Sequence, residues 1–311
     1  MKRKVHQLLF TLLLVVLVLG AYQFLESSTY PEKSAEAPIR HYYSSVEVPD
    51  SLTFCGEPVP LEYFDIYESL DRELLVNSYF HSQTLRFLKM APRFFSIIDP
   101  ILKENNIPED FKYLALAESG FDPSAVSPAG AVGFWQFMKG TAGDYGLEIS
   151  TEVDERYHIE KSTVAACAYL HESYRKYGSW TMVAATYNAG RNFIGRQVER
   201  QKENNYYDLL LGEETRRYVF RIMALKLVME NPRTYGFDVR EDEMYPLWNT
   251  KTIEISGPVV SFADFAQEHN TNYKILKMLN PWLREAYLTN TRGKTYEIKL
   301  PAEEFRMKTK R

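Results

Sequence analysis

Glu118 is the residue of this sequence whose surroundings favour chemistry most directly. It directly follows the apolar run 113–117 and precedes Ser119 and Gly120. A carboxyl group that is poorly solvated at the negative end of a helix dipole should have a raised pKa. A carboxylic acid that stays protonated near neutrality can act as the general acid in the cleavage of a glycosidic bond. A solvated helix cap or an ion-pair member would also suit this position, so Glu118 alone does not decide the function.

Four short motifs follow Glu118 along the chain. They read SPAG at 127–130, GFWQFM at 133–138, ATYNAG at 185–190 and ETRRY at 214–218. Taken singly, they have ordinary explanations as a turn, a piece of apolar core and a helix C-terminus. Their combination is the informative feature.

The stretch 118–138, together with the motifs at 187–190 and 214–218, closely resembles the lytic transglycosylases of the goose-type-lysozyme-like superfamily. The nearest type is the membrane-bound lytic murein transglycosylase D, in which peptidoglycan-binding LysM modules follow the catalytic domain. The resemblance is strong over about residues 80–230. It implies a lysozyme-like catalytic domain that acts on peptidoglycan glycan strands and needs no cofactor.

The resemblance also implies roles for individual residues. Glu118 matches the single catalytic acid/base of the family. The matching substrate-binding positions are Ser127, Gln136, Met138, Tyr187, Asn188, Glu214 and Tyr218. Alternatives stay open at this point, since Ser127 would also suit a plain turn, and Trp135 and Met138 would also suit the core. Tyr187 is the tyrosine that we expect to orient Glu118 or the substrate N-acetyl group.

The expected mechanism follows from the absence of a second carboxylate in the matched motifs. Most glycosidases use two carboxylates. The next acidic residue after Glu118 is Asp122, which precedes a proline, and turn formation explains it better than catalysis. The family solution is assistance by the substrate's own N-acetyl group, which gives a 1,6-anhydromuramoyl end at the cleaved bond between N-acetylmuramic acid (MurNAc) and N-acetylglucosamine (GlcNAc). The alternatives are a muramidase that uses water as the nucleophile and a non-catalytic wall-binding scaffold.

Composition excludes several other classes of protein. The 311 residues carry a net charge of −4, with 45% hydrophobic and 25% charged residues. A wholly disordered chain does not fit this balance, and nucleic acid as the main partner would need a basic excess. The six histidines show no paired ligand spacing, so no metal site is predicted. Of the abundant aromatic residues, we assign four to the glycan groove (Phe134, Trp135, Phe137 and Tyr187) and four to the helix core (Phe87, Phe94, Phe95 and Phe111).

The N-terminus resembles an export signal. Cations at positions 2–4 precede an apolar stretch, so we assign residues 1–25 to a signal peptide or an uncleaved membrane anchor, with residues 5–25 as the anchoring segment. The protein is therefore expected in the bacterial cell envelope, exported to the periplasm. Residues 26–60 are expected to form a linker. Cys55 and Cys167 could pair, although Cys167 also suits a buried position in a packed helix.

The predicted fold class is mainly α. Helical periodicity over residues 61–247 predicts a lysozyme-like all-α catalytic domain, with helices at 83–104, 108–120, 160–177, 180–188 and 214–229. Residues 248–303 predict a strand, two helices and a strand, an α+β (βααβ) unit that resembles one degenerate LysM domain. Its usual Gly-Asp-Thr is replaced at 256–261, so both glycan binding and a packing role stay open. Residues 304–311 are expected to form a tail.

Overall fold

The computed structural model describes residue 6, residues 12–23, residues 44–303 and residue 305. The chain divides into two compact units, Met1–Ser45 and Val46–Arg311. In the first unit, residues 12–23 are helical. In the part of the chain that the structure describes, no helix combines the length and apolar character needed to span a bilayer. Residues 1–5, 7–11 and 24–25 of the predicted signal or anchor lie outside the described residues, as do residues 26–43 of the predicted linker and residues 304 and 306–311 of the predicted tail.

Helices dominate the second unit, which confirms the predicted mainly α fold. The apolar residues recur at helical spacing, and left-handed residues such as Gly120 (φ 58°) end helices where the sequence predicts their ends. The helices before the C-terminal domain are α1 (Phe64–Tyr79), α2 (His81–Glu104), α3 (Phe111–Ser119), α4 (Lys139–Asp144), α5 (Ile159–Tyr177), α6 (Trp180–Ala189), α7 (Arg191–Gln201) and α8 (Glu213–Glu230).

Helix α3 begins later than the sequence predicts. Residues 108–110 form a tight turn, in which the amide of Phe111 donates to the carbonyl of Pro108 at 3.1 Å and that of Lys112 to Glu109 at 3.0 Å. These i→i+3 bonds belong to a 3₁₀-type turn, which is frequent at the N-terminus of an α-helix. Helix α3 is therefore short, and Glu118 lies in its last turn.

A hairpin lies inside the segment that the sequence assigned to a linker. Strands β1 (Leu52–Phe54) and β2 (Glu57–Val59) pair antiparallel around Cys55 and Gly56, which both have positive φ, as a type I′ turn requires. Phe54 is fully buried against Phe111, with ring centroids 5.9 Å apart. The linker prediction is therefore wrong for residues 52–59, because three-residue strands are too short to show alternation. Cys55 and Cys167 are both free thiols.

Helix α6 runs through the middle of the core. Its residues 181–186 are buried on all sides, as is usual for a central helix. Helix α8 packs against α1, α3 and α6, so the helices that carry Glu118, Tyr187 and Tyr218 share one core. This packing brings residues about 100 positions apart in the sequence into one site.

The C-terminal domain has the predicted βααβ order. It comprises β3 (Thr250–Ile255), α9 (Phe262–Glu268), α10 (Tyr273–Leu279) and β4 (Tyr296–Pro301), and β3 pairs antiparallel with β4. The side chain of Ser261 accepts from the amide of Asp264 at 3.2 Å and caps α9, as the sequence predicts. The two strands and two helices pack around a small core that includes Phe262, Leu276 and Ile298.

Candidate active site

The carboxyl group of Glu118 lies at the end of α3, partly buried beneath α8. Gly120 ends the helix in the left-handed conformation, and its amide donates to the carbonyl of Leu116 at 2.8 Å. Burial raises the pKa of Glu118 to about 7, against the opposing effects of a hydrogen bond from Tyr218 and the positive charge of Arg221. The group therefore exchanges its proton near neutrality, as acid–base catalysis requires.

Tyr218 is the direct partner of this carboxyl group. Its hydroxyl donates to Oε1 of Glu118, and its side chain is buried. Burial and the neighbouring carboxylate raise the pKa of Tyr218 well above its usual value, so the hydroxyl keeps its proton and remains a donor. Glu214, one turn earlier on α8, is exposed instead, and its carboxylate pairs with the guanidinium of Arg221 at 3.1 Å.

Tyr187, which the sequence suggested as a partner of Glu118 or of the substrate N-acetyl group, donates to the backbone in this structure. Its hydroxyl donates to the carbonyl of Trp135 at 2.7 Å and so ties α6 to the segment before α4. Burial, and then the negative charge of Glu118, raise the pKa of Tyr187 well above its usual value, so its hydroxyl stays protonated. Asn188 accepts at Oδ1 from the hydroxyl of Thr215 at 2.9 Å and links α6 to α8.

Residues 125–138, which we call the motif loop, carry the other predicted site residues. Ser127 accepts at Oγ from the amide of Ala131 at 3.0 Å, which is the turn role that the sequence left open. Gln136 has a φ of 46° and donates through Nε2 to the carbonyls of Gly133 (2.8 Å) and Ala125 (3.2 Å). The side chain of Met138 is exposed rather than in the core. The polar side chains of this loop therefore stabilise its own backbone.

The aromatic residues of the motif loop pack into the core. Phe134, Trp135 and Phe137 are buried, so the assignment to a glycan groove is wrong for Phe134 and Phe137, and Trp135 takes the core position that the sequence left open. The indole of Trp135 donates to Oγ1 of Thr163 at 2.8 Å, which satisfies its one polar group in the interior. Tandem aromatic residues look alike in a groove and in a core, so the sequence could not separate the two.

The hairpin supplies site-supporting residues that the sequence analysis missed. The carboxylate of Glu57 accepts from the amides of Trp180 (2.6 Å) and Thr181 (3.2 Å) and from Oγ of Ser179 (3.0 Å). Four unpaired amides and a partial positive charge mark a helix N-terminus, so Glu57 caps α6 from a distant part of the chain. The local sequence carries no signal for this contact, because it joins residues 123 positions apart.

The same hairpin is joined to two further helices. Asp110, just before α3, accepts from the amide of Cys55 at 2.7 Å and from Nζ of Lys226 at 2.7 Å. Lys226, on α8, also donates to the carbonyl of Thr53 at 3.1 Å. The hairpin therefore holds α3, α6 and α8 together at their ends away from Glu118, Tyr187 and Tyr218.

Glu57→Gln should lower the free energy of unfolding by about 1–2 kcal/mol, because the amide side chain loses the charge that caps α6. Denaturant unfolding of the two proteins measures the difference. Glu62→Gln is the matched control, since Glu62 is exposed and makes no such cap. An equal loss in both variants would contradict the capping role of Glu57.

The acidic and polar side chains of the site were also compared with the ligand sets that bind metals. In the part of the chain that the structure describes, no group of three or more His, Cys, Asp or Glu residues could hold a metal ion. Of the two acids among the predicted site residues, Glu214 is paired with Arg221, which leaves the carboxyl group of Glu118 beside the hydroxyl of Tyr218. This set fits proton transfer to and from a neutral sugar.

Comparisons with known proteins agree with this arrangement. The profile described as Transglycosylase SLT domain matches residues 95–210, and that of the soluble lytic transglycosylase C-terminal LysM-like domain matches residues 251–304. The chain is 32% identical over 248 residues to the membrane-bound lytic murein transglycosylase D of Escherichia coli K12, an alignment that covers 77% of this chain and 53% of that protein. The chain thus spans about half the length of the curated relatives it matches.

Two solved structures resemble the fold more remotely. One is an inactive mutant of the lytic transglycosylase Slt from Pseudomonas aeruginosa, with 18% identity and a TM-score of 0.36, covering 49% of this chain and 26% of that chain. The other is the 70 kDa soluble lytic transglycosylase from Escherichia coli, with 20% identity, a TM-score of 0.38 and the same shares.

Proposed function

We propose that this chain, which belongs to the SLT transglycosylases and carries a C-terminal LysM-like domain, cleaves the β-1,4 bond between MurNAc and GlcNAc in peptidoglycan and leaves 1,6-anhydromuramoyl ends. The observation that carries the proposal is the carboxyl group of Glu118, whose pKa burial raises to about 7 and which receives the hydroxyl of Tyr218. The curated relative, named as a lytic murein transglycosylase, supports the same activity.

In the first step, Glu118 donates its proton to the oxygen that bridges the two sugars. The carbonyl oxygen of the MurNAc N-acetyl group attacks C1 as the bond to the bridging oxygen breaks, and a cyclic oxazolinium ion forms. The GlcNAc side leaves as an alcohol, and Glu118 remains as a carboxylate. The hydroxyl of Tyr218 stabilises that carboxylate because it donates a hydrogen bond to the charged form.

In the second step, the carboxylate of Glu118 takes the proton of the C6 hydroxyl of MurNAc. The C6 oxygen attacks C1, the oxazolinium ring opens to restore the N-acetyl group, and the anhydro bond is formed. Glu118 is protonated again, and no water is consumed. A pKa near neutrality suits both steps, since one group must first give and then accept a proton.

The surroundings of Glu118 support a mechanism with one carboxylate. Asp122 accepts at Oδ1 from the amide of Ser124 at 2.8 Å, so its side chain closes the turn that the sequence predicted. Glu214 is occupied by Arg221 at the surface. The remaining predicted residues, Ser127, Gln136, Met138, Tyr187 and Asn188, are proposed to bind the glycan around this acid.

The products of the wild-type protein test the reaction type. Digestion of purified sacculi should release muropeptides that are one water lighter than the reducing products of a muramidase, as mass spectrometry of the soluble fraction would measure. Reducing ends in place of anhydro ends would favour hydrolysis by water. Sacculi that bind the protein but release nothing would favour a wall-binding scaffold.

The location that fits this activity is the cell envelope. We propose that residues 1–25 direct export to the periplasm and that residues 5–25 either remain as a membrane anchor or are removed. The name of the curated relative, which describes that protein as membrane-bound, supports the anchored form. The intact mass of the mature protein, combined with membrane fractionation, distinguishes the two forms.

A further inference from the structure

We propose that Arg156 is a positioning residue for the motif loop and that, through it, the LysM-like domain forms part of the framework of the active site. The inference builds on the proposed function, because it concerns the loop that carries Ser127, Gln136 and Met138. It assigns a role to residues 148–158, which we call the bridging segment and which contribute none of the predicted site residues.

Arg156 joins the bridging segment to two points of the motif loop, one in its middle and one near its C-terminal end. Its guanidinium donates through Nη1 to the carbonyls of Phe137 (3.2 Å) and Gly130 (3.3 Å). Nε and Nη2 form a two-pronged contact with Asp154, at 3.0 and 2.7 Å. Only 8% of Arg156 is exposed, so these bonds are shielded from water. A planar guanidinium with fixed donor directions can hold two carbonyls and one carboxylate at once.

The backbones of the loop and the segment are also in direct contact. Gly133 has a φ of 78°, and a Cβ atom built there would lie 2.1 Å from the carbonyl oxygen of Arg156. Any residue other than glycine at position 133 would force the two backbones apart. The motif loop therefore lies directly on the bridging segment, and Arg156 fixes it there.

The opposite side of the bridging segment is bonded to the LysM-like domain. The amide of Asp154 donates to the carbonyl of Trp282 at 2.9 Å, and the amide of Arg284 donates to the carbonyl of Glu152 at 2.7 Å. The carboxylate of Glu152 also accepts from the amide of Thr289 at 2.7 Å. Each part donates one backbone hydrogen bond to the other, so the bridging segment continues the backbone hydrogen bonding of the LysM-like domain.

Apolar packing joins the same three parts. Val132 from the motif loop and Val153 and Tyr157 from the bridging segment are buried in the core of the LysM-like domain. The guanidinium carbon of Arg284 lies 3.9 Å from the centre of the Tyr157 ring. A module that acts independently would not share its core with the loop of another domain. The LysM-like domain is thus a support for the motif loop.

The first test uses Arg156→Lys in the full chain, because lysine keeps the charge but cannot make the bridging contacts. We expect the KM for soluble, uncrosslinked glycan strands to rise about tenfold with a smaller change in kcat, as for a loop that binds substrate. Arg233→Lys, at an exposed arginine, is the matched control. An unchanged KM in Arg156→Lys would overturn the positioning role.

The second test acts from the side of the LysM-like domain and needs no activity. Glu152→Ala removes the bonds to Thr289 but touches none of the motif loop. Hydrogen exchange of the amides of residues 130–133 and 137 should accelerate in both Glu152→Ala and Arg156→Lys. Unchanged exchange in Glu152→Ala would overturn the coupling. If the proposed function is wrong, the wild-type protein releases no anhydro products, whereas amide exchange still accelerates in both variants.

Discussion

Glu118→Gln should abolish the release of anhydro-muropeptides from purified sacculi. The amide has almost the same shape as the carboxyl group but can neither donate a proton to the bridging oxygen nor accept one from the C6 hydroxyl. General acid–base catalysis contributes about 10²–10⁴-fold, and here one group serves both steps, so the loss should exceed about 10³-fold. Quantitative mass spectrometry of the soluble products measures it. Release at the wild-type rate would disprove the role of Glu118.

The same variant offers a control for folding. The carboxyl group of Glu118 has a pKa of about 7 in the folded protein, above the ordinary value of about 4.3 in an unfolded chain. The folded state therefore holds the proton more tightly, and the wild type loses stability as the pH rises from about 4 to above 7. Glu118→Gln has no such loss. Its melting temperature should exceed that of the wild type at pH 8, with a smaller difference at pH 5.

Tyr218→Phe should move the alkaline limb of the pH–rate profile to higher pH and lower the maximal rate. The tyrosine hydroxyl stabilises the carboxylate of Glu118 and thereby lowers its pKa, so its removal raises the pKa further above its present value of about 7. The acid then stays protonated to higher pH. The rate falls because the carboxylate formed in the first step loses a donor, a loss of about 10–100-fold for one charge-assisted hydrogen bond.

Tyr113→Phe is the matched control for this experiment. Tyr113 is also buried, lies on the same helix as Glu118 and donates to a carboxylate, that of Glu230 at 3.1 Å. Its removal costs a comparable hydrogen bond but leaves Glu118 untouched, so the pH–rate profile should keep its shape. A profile of Tyr218→Phe that also keeps its shape would show that the hydroxyl does not act on the proton of Glu118.

Local patterns explain which parts of the fold the sequence predicts. Apolar residues at helical spacing and glycines at helix ends are short-range signals, so α2, α5, α6 and α8 begin and end within a few residues of the prediction. The raised pKa of Glu118 was predictable for the same reason, because its apolar neighbours precede it directly in the chain. The βααβ order of the C-terminal domain follows from similar signals.

The contacts that the sequence could not predict join distant residues. Tyr218 lies 100 positions after Glu118, and nothing in its own motif distinguishes it from Tyr187 as the partner of the acid. The packing of α8 against α3 decides between them. The hairpin escaped detection because its strands have three residues each, too few for a pattern. The groove assignment fails for Phe134 and Phe137 because burial depends on neighbouring helices.

The hairpin also has a consequence for the order of folding. Its hydrogen bonds to Asp110, Trp180 and Lys226 join residues that are 55, 123 and 173 positions apart in the sequence. Each bond therefore closes a large loop of chain. Contacts of such long range form slowly, because the entropy of loop closure must be overcome before they contribute energy. The hairpin is synthesised before all three helices that it joins. We therefore expect the alignment of Glu118 with Tyr218 to be among the last events of folding, which would keep an incompletely folded chain inactive.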